Sequence, residues 1–187
     1  MEIPQIDYHL IIIMKLSSIL GINARTQQFS YKVNTARGKK VADSKLQSAW
    51  VLKKAGILSP EIYQRFRKPE DVSNFNWESL PDQFALKPSR GMGGEGIIVV
   101  KKRLEGKILG YKDIKWQTTQ RTGIGIDDLK MHTLDILEGA YSMGNVPDVA
   151  FIQEYVGRHK VFRKYAYRGT PDIRIIVFNK VPIMAML

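Results

Sequence analysis

The chain has 187 residues, no Cys, and a formal net charge of +11 from 29 Lys plus Arg against 18 Asp plus Glu. A length of this order fits one domain, or one and a half small ones, and a hydrophobic fraction of 44% can fill a core, which excludes disordered, collagen-like and coiled-coil classes. Without Cys there is no disulfide framework, thiolate nucleophile or Cys-based metal site, and His9, His132 and His159 are too scattered to make a metal cluster.

Taken in chain order, residues 1–13 read as an extension or disordered tail. Their apolar run, Leu10–Met14, is far short of the roughly 20 residues that span a bilayer. Glu2 and Asp7 precede it with no Lys or Arg, unlike a signal peptide. A cytoplasmic protein with no membrane association is expected, and the charge favours anionic partners. A first helix is predicted near Leu16–Leu20, ending at Gly21, with residues 22–42 polar and loop-like. Asp43 reads as an N-cap for a helix carrying Leu46, Ala49, Trp50 and Lys53, stopped by Gly56. Residues 57–82, with Pro60, Pro69 and Pro81, read as a connector holding a short helix at most. Phe84–Pro88 and Ile97–Val100 read as strands around a glycine-dense turn. A helix from Asp127 to Glu138 stops at Gly139, and a strand covers Val149–Val156. Ile173–Phe178 and Val181–Met186 form a closing strand pair turned at Asn179-Lys180. The implied division is an N-terminal helical part at 14–80, a small lid subdomain at 81–157 and the start of a C-terminal subdomain at 158–187.

The glycine turn carries the chemistry. Gly91-x-Gly93-x-x-Gly96 matches the dinucleotide fingerprint in letters, but that fingerprint needs a helix after it and a β-branched strand follows here. Ile97-Ile98 in place of Lys then Ser/Thr excludes a P-loop, and the kinase motifs that accompany a kinase-type glycine loop are missing. What remains is a hairpin whose flexible tip lets backbone N–H groups approach phosphate oxygens, with Lys87 adding a positive charge from the incoming strand. The alternative is a surface turn with a solvated lysine.

Phe84-Ala85-Leu86-Lys87-Pro88 with Gly91–Gly96 resembles the ATP-grasp superfamily. Further segments agree in order: Asp43-Ser44-Lys45-Leu46 with Ala55–Pro60, then Phe151–Val156, then Pro171–Arg174 and Val181–Met186. These last segments, with Gly21–Arg25, resemble the alpha-L-glutamate ligase-like subgroup, related to the ligases that add glutamate to ribosomal protein. The resemblance spans residues 14–187 and implies an α/β ATP-grasp fold, incomplete at the C-terminus. It implies that Lys45 reaches the ATP phosphates and that Lys87 contacts the α-phosphate and the adenine edge. Ser89, Gly91, Gly93, Gly94 and Gly96 belong to the loop that closes over the β- and γ-phosphates. Glu154, with the backbone of Tyr155 and Val156, would hold the adenine amino edge. Arg174 would face the γ-phosphate and then the acyl phosphate, as the catalytic residue. Magnesium is the implied metal, with its acidic residue and Glu-x-Asn pair expected beyond Leu187, so that no metal ligand is assigned within the chain.

Each assignment has a plainer alternative: a solvated Lys45, a structural ion pair at Glu154, a solvated sheet face at Arg174, and Asp172 either orienting Arg174 or opening its strand. The expected reaction is ATP-dependent carboxylate–amine ligation through an acyl phosphate, with a small-molecule or peptide carboxylate and an amine as substrates. One rival is a nucleic-acid-binding module, suggested by Arg163-Lys164-Tyr165-Ala166-Tyr167-Arg168. Another is an inactive ATP-grasp relative or fragment. The chain stops in a predicted strand, so a truncated sheet is expected to self-associate, and binding without turnover is expected of it.

Overall fold

The computed structural model describes residues 20–91, 93–104, 114–164 and 173–186. The 1–13 tail, all but the last residue of the helix predicted near Leu16–Leu20, Met92, Asp172 and most of the basic–aromatic stretch lie outside them. Two compact units divide between Lys39 and Lys40.

The described part of the first unit is helical, where a loop was expected. It contains α1 (Ile22–Arg25), a π-helical turn (Thr26–Ser30), α2 (Tyr31–Val33) and the start of α3 (Ala36–Asp43). Asn34 is extended and breaks the path, and Thr35 Oγ1 restarts it by accepting the Gly38 N–H at 3.0 Å. Sparse apolar residues conceal this helix from a periodicity argument, while unbranched Gln, Arg and Lys side chains favour it.

In the second unit, α4 spans Lys45–Lys54. Its N-cap is Ser44, whose side chain accepts from Gln47 N at 3.3 Å; Asp43, the expected cap, ends α3 instead. Gly56 stops the helix with φ +73°, as expected. The expected connector then holds a strand, β1 (Ile62–Phe66), and a short helix, α5 (Pro69–Asn74), whose Asp71 accepts the N–H groups of Arg67 and Lys68. The strand was hidden because its partner lies almost ninety residues further along the chain.

β2 (Phe84–Pro88), β3 (Ile98–Arg103), β4 (Ile114–Thr118) and β5 (Gly123–Gly125) lead to α6 (Ile126–Glu138), followed by β6 (Ala150–Glu154). These strands form one antiparallel sheet in the order β1-β6-β2-β3-β4-β5. One face buries Phe66, Phe84, Leu86, Val100, Trp116, Ala150 and Ile152 with Leu129 and Ile136 of α6. Phe66 stacks on Trp77 at 5.3 Å between ring centroids, with Phe75 edge-on to both. Strand alternation turns Ala85 and Lys87, opposite Gln153 and Phe151, to the other face.

The last two strands, β7 (Arg174–Phe178) and β8 (Val181–Met186), pair as a separate two-stranded sheet. Asn179 and Lys180 turn it with φ of +46° and +68°, a pairing of positive φ angles that matches strand twist in two-residue hairpins. Its residues are exposed.

Asp128 accepts the Gly125 N–H at 2.8 Å at the start of α6, and Gly139 ends it with φ +90°. A Cβ on Gly139 would lie 2.5 Å from Val146 O. Gly139→Ala is therefore expected to lower unfolding free energy by about 1–3 kcal/mol, measured by urea denaturation; unchanged stability would contradict this packing.

Candidate functional site

The glycine loop joins β2 to β3, and the residues around it come from four distant stretches of chain. Ser89 continues from β2 by donating its N–H to Val149 O at 2.9 Å. Its hydroxyl lies 3.0 Å from that of Ser44, and both residues are buried. The Lys45 N–H donates to Ser89 O at 3.0 Å. This double contact sets the N-terminus of α4 against the loop, and Lys45 Nζ then donates to Gly91 O at 2.8 Å. Lys45, Lys87, Ser89 and Gly91 thus meet in one place.

Asp148, absent from the sequence-derived set, completes the arrangement. One of its oxygens accepts the Arg90 N–H at 2.7 Å and the other the Val149 N–H at 2.8 Å. Burial pulls the Lys45 ammonium below its usual pKa, while the negative charges of Asp148 and then Asp43 act to raise it. Lys87 is also lowered, first by burial and then by the positive charge of Lys45. Two cations are thereby held partly desolvated and close enough to repel, an arrangement that an incoming anion would relieve.

Within the loop, Gly93, Gly94 and Gly96 have φ of +62°, +81° and +70°. Gly91 is required for space: a Cβ there would stand 2.3 Å from Pro88 Cγ. Gly96 is tied to α6, its carbonyl 2.8 Å from His132 Nε2.

The other expected residues lie apart from this cluster. Glu154 is three residues along β6 from Phe151, the partner of Lys87, about 10 Å away by strand rise. Pairing with Phe84 gives its side chain the opposite parity to Lys87. Its carboxylate accepts the Glu61 N–H at 3.1 Å and so also closes the start of β1. Tyr155 is half-buried and Val156 exposed, just past the strand end. Arg174 is exposed on β7, in the second sheet. A separate groove of about 780 Å³ beside α4 is lined by residues including Trp50, Lys53, Lys54 and Arg65, but by neither Lys45 nor Lys87.

No group of three or more His, Asp or Glu side chains gathers among the described residues. Asp148 has both oxygens committed to backbone N–H groups. Magnesium at a nucleotide site takes one or two carboxylates beside the phosphates, so the described residues assign no ligand to it. Among them, too, no helix is long and apolar enough to cross a membrane.

A glycine-tipped hairpin on an antiparallel sheet, with two lysines near its base, defines an α/β protein with a surplus of positive charge at that loop. The family model of sugar-transfer associated ATP-grasp proteins matches residues 24–187, and the chain belongs to that family. It is an ATP-binding protein of the ATP-grasp superfamily. No curated protein and no solved structure matches the chain.

The lysine shifts have a consequence for stability. With a folded pKa below the unfolded one, the folded state binds fewer protons in the interval between them, so stability rises with pH across it. Below that interval the buried ammonium carries its full cost. Lys87→Met is expected to raise stability at pH 7 and to flatten the rise toward pH 10.5, the usual lysine value. Urea denaturation from pH 7 to 10 checks this, and a variant less stable than the parent throughout would overturn it.

Proposed function

We propose that the chain binds ATP at the base of the β2–β3 hairpin and serves ATP-dependent carboxylate–amine ligation through an acyl phosphate. The convergence of Lys45 and Lys87 at Gly91 carries this reading. Two partly buried cations facing each other are costly in an empty site and favourable beside a polyphosphate. Lys45 exchanges Gly91 O for a phosphate oxygen, and Lys87 meets the α-phosphate and the adenine edge. Gly93, Gly94 and Gly96 cover the β- and γ-phosphates with backbone N–H groups. Phe151 and Ala85 share the sheet face of Lys87 and are buried there, so they back the site and do not line it. The ATP-grasp resemblance, not the lysine cluster, carries the adenine amino edge to Glu154 with the backbone of Tyr155 and Val156, and the γ-phosphate to Arg174.

Phosphoryl transfer depends mainly on positioning and charge neutralisation, which suits a site of cations and backbone donors without a Ser or Cys nucleophile. The carboxylate attacks the γ-phosphorus and ADP leaves. The amine then displaces phosphate from the acyl carbon, forming an amide and losing a proton. The resemblance to alpha-L-glutamate ligase-like proteins supports this chemistry. The family's association with sugar transfer favours a substrate carried on a saccharide.

Lys87→Ala is expected to weaken binding of a non-hydrolysable ATP analogue roughly tenfold to a hundredfold, the worth of a charge-assisted hydrogen bond. Calorimetry measures this, and a change under about twofold would place Lys87 outside the phosphate site. In hydrogen exchange, the amides of residues 93–97 are expected to gain protection when the analogue binds. Equal exchange in both states would remove the loop from phosphate contact. Oligonucleotide affinity falling steeply with salt, without saturable analogue binding, would favour the nucleic-acid reading.

A further inference from the structure

The glycine loop is held at both ends by carbonyl acceptors, and the two ends differ in kind. At the first, Lys45 Nζ donates to Gly91 O at 2.8 Å. At the second, Gly96 O lies 2.8 Å from His132 Nε2, and His132 Nδ1 lies 3.2 Å from Tyr141 Oη. A carbonyl oxygen only accepts, so Nε2 carries the proton. In the neutral ring Nδ1 is then an acceptor, and the Tyr141 hydroxyl donates to it. The two rings are in contact, with centroids 5.1 Å apart.

Tyr141 also closes on Gly96 directly. A Cβ on Gly96 would stand 2.5 Å from Tyr141 Cγ and 2.7 Å from Cδ2. Gly96 is thus defined by its φ of +70°, by the imidazole bond and by a ring that fills the space of a side chain. His132 takes its rigidity from α6, where the neighbouring Leu129, Thr133 and Ile136 are buried.

We propose that His132, oriented by Tyr141, is a positioning residue that fixes the Gly96 end of the loop and so sets how well the loop's N–H groups meet phosphate. This rests on the nucleotide reading above. On that reading Lys45 gives up Gly91 O to the ligand. The Gly96 bond persists, because the ring's other nitrogen is already committed to Tyr141.

Three variants and the native chain test the proposal. His132→Leu removes the donor and keeps bulk, His132→Gln keeps an N–H donor of similar reach, and Tyr141→Phe removes only the hydroxyl. Nucleotide-free hydrogen exchange of residues 96–98 reads the position, and calorimetry with a non-hydrolysable ATP analogue reads the consequence. His132→Leu is expected to speed exchange and weaken the analogue by about threefold to tenfold, the worth of one neutral hydrogen bond. His132→Gln is expected to restore both to within about twofold, with Tyr141→Phe between the two. Nitrogen-15 spectra of the native histidine rings are expected to show the Nε2–H tautomer for His132. Parental exchange in His132→Leu, or an Nδ1–H tautomer, would overturn the proposal. If the native chain binds no analogue, the nucleotide reading fails, while exchange and tautomer still decide whether His132 fixes Gly96.

Discussion

The antiparallel pairing of β2 with β6 is the constraint on which the site depends. Its register places Leu86 beside Ile152 in the core and Lys87 beside Phe151 on the opposite face. A slip of one residue would turn Lys87 into the core shared with α6 and Leu86 out of it, a change that core packing forbids. The same pairing runs on through the Ser89–Val149 bond, so Asp148 arrives where the loop begins and caps the Arg90 N–H. The acid, Lys87 and the first glycine are therefore neighbours because two strands of the core share one register, and α4 brings Lys45 to them through Ser44 and Ser89.

That geometry decides the electrostatics. Burial disfavours both ammonium groups, and the charge of Lys45 adds to the cost at Lys87. Asp148 offsets this for Lys45, but its oxygens already serve backbone N–H groups. The result is a small surplus of positive charge at a backbone rich in donors, a pattern suited to a phosphate chain. The overall charge of +11 is spread far more widely than this cluster. Lys53, Lys54 and Arg65 line a different groove, so net charge by itself pointed to no particular site.

Glycine serves two separate purposes in the loop. Gly91 lets the backbone pass Pro88, and Gly96 lets it pass Tyr141. These contacts set the loop's two ends against side chains of the sheet and of the segment after α6. Between them Gly93 and Gly94 adopt left-handed angles, and no atom of the described residues outside their immediate neighbours lies within 4 Å of a Cβ built at either. A loop built this way has defined ends and a backbone of left-handed angles between them.

Local chemistry made much of this legible in the sequence. The β2–loop–β3 hairpin, α4 with Gly56, α6 with Gly139 and the β7–β8 turn each follow from period, cap or turn residues within a few positions. Lys87 stood out beside the glycine loop, and Lys45 through the family resemblance. Other features depended on partners far along the chain. β1 looks like a connector until β6 pairs with it, and the α3 region looks like a loop because its helix is polar. Asp148, preceding a strand, gives no sign that it will face Lys45, and His132 on an amphipathic helix gives none that it will hold Gly96. Short-range rules of backbone sterics and hydrophobic period act through neighbours in sequence. Register, and with it which charges meet, is decided only when the core closes.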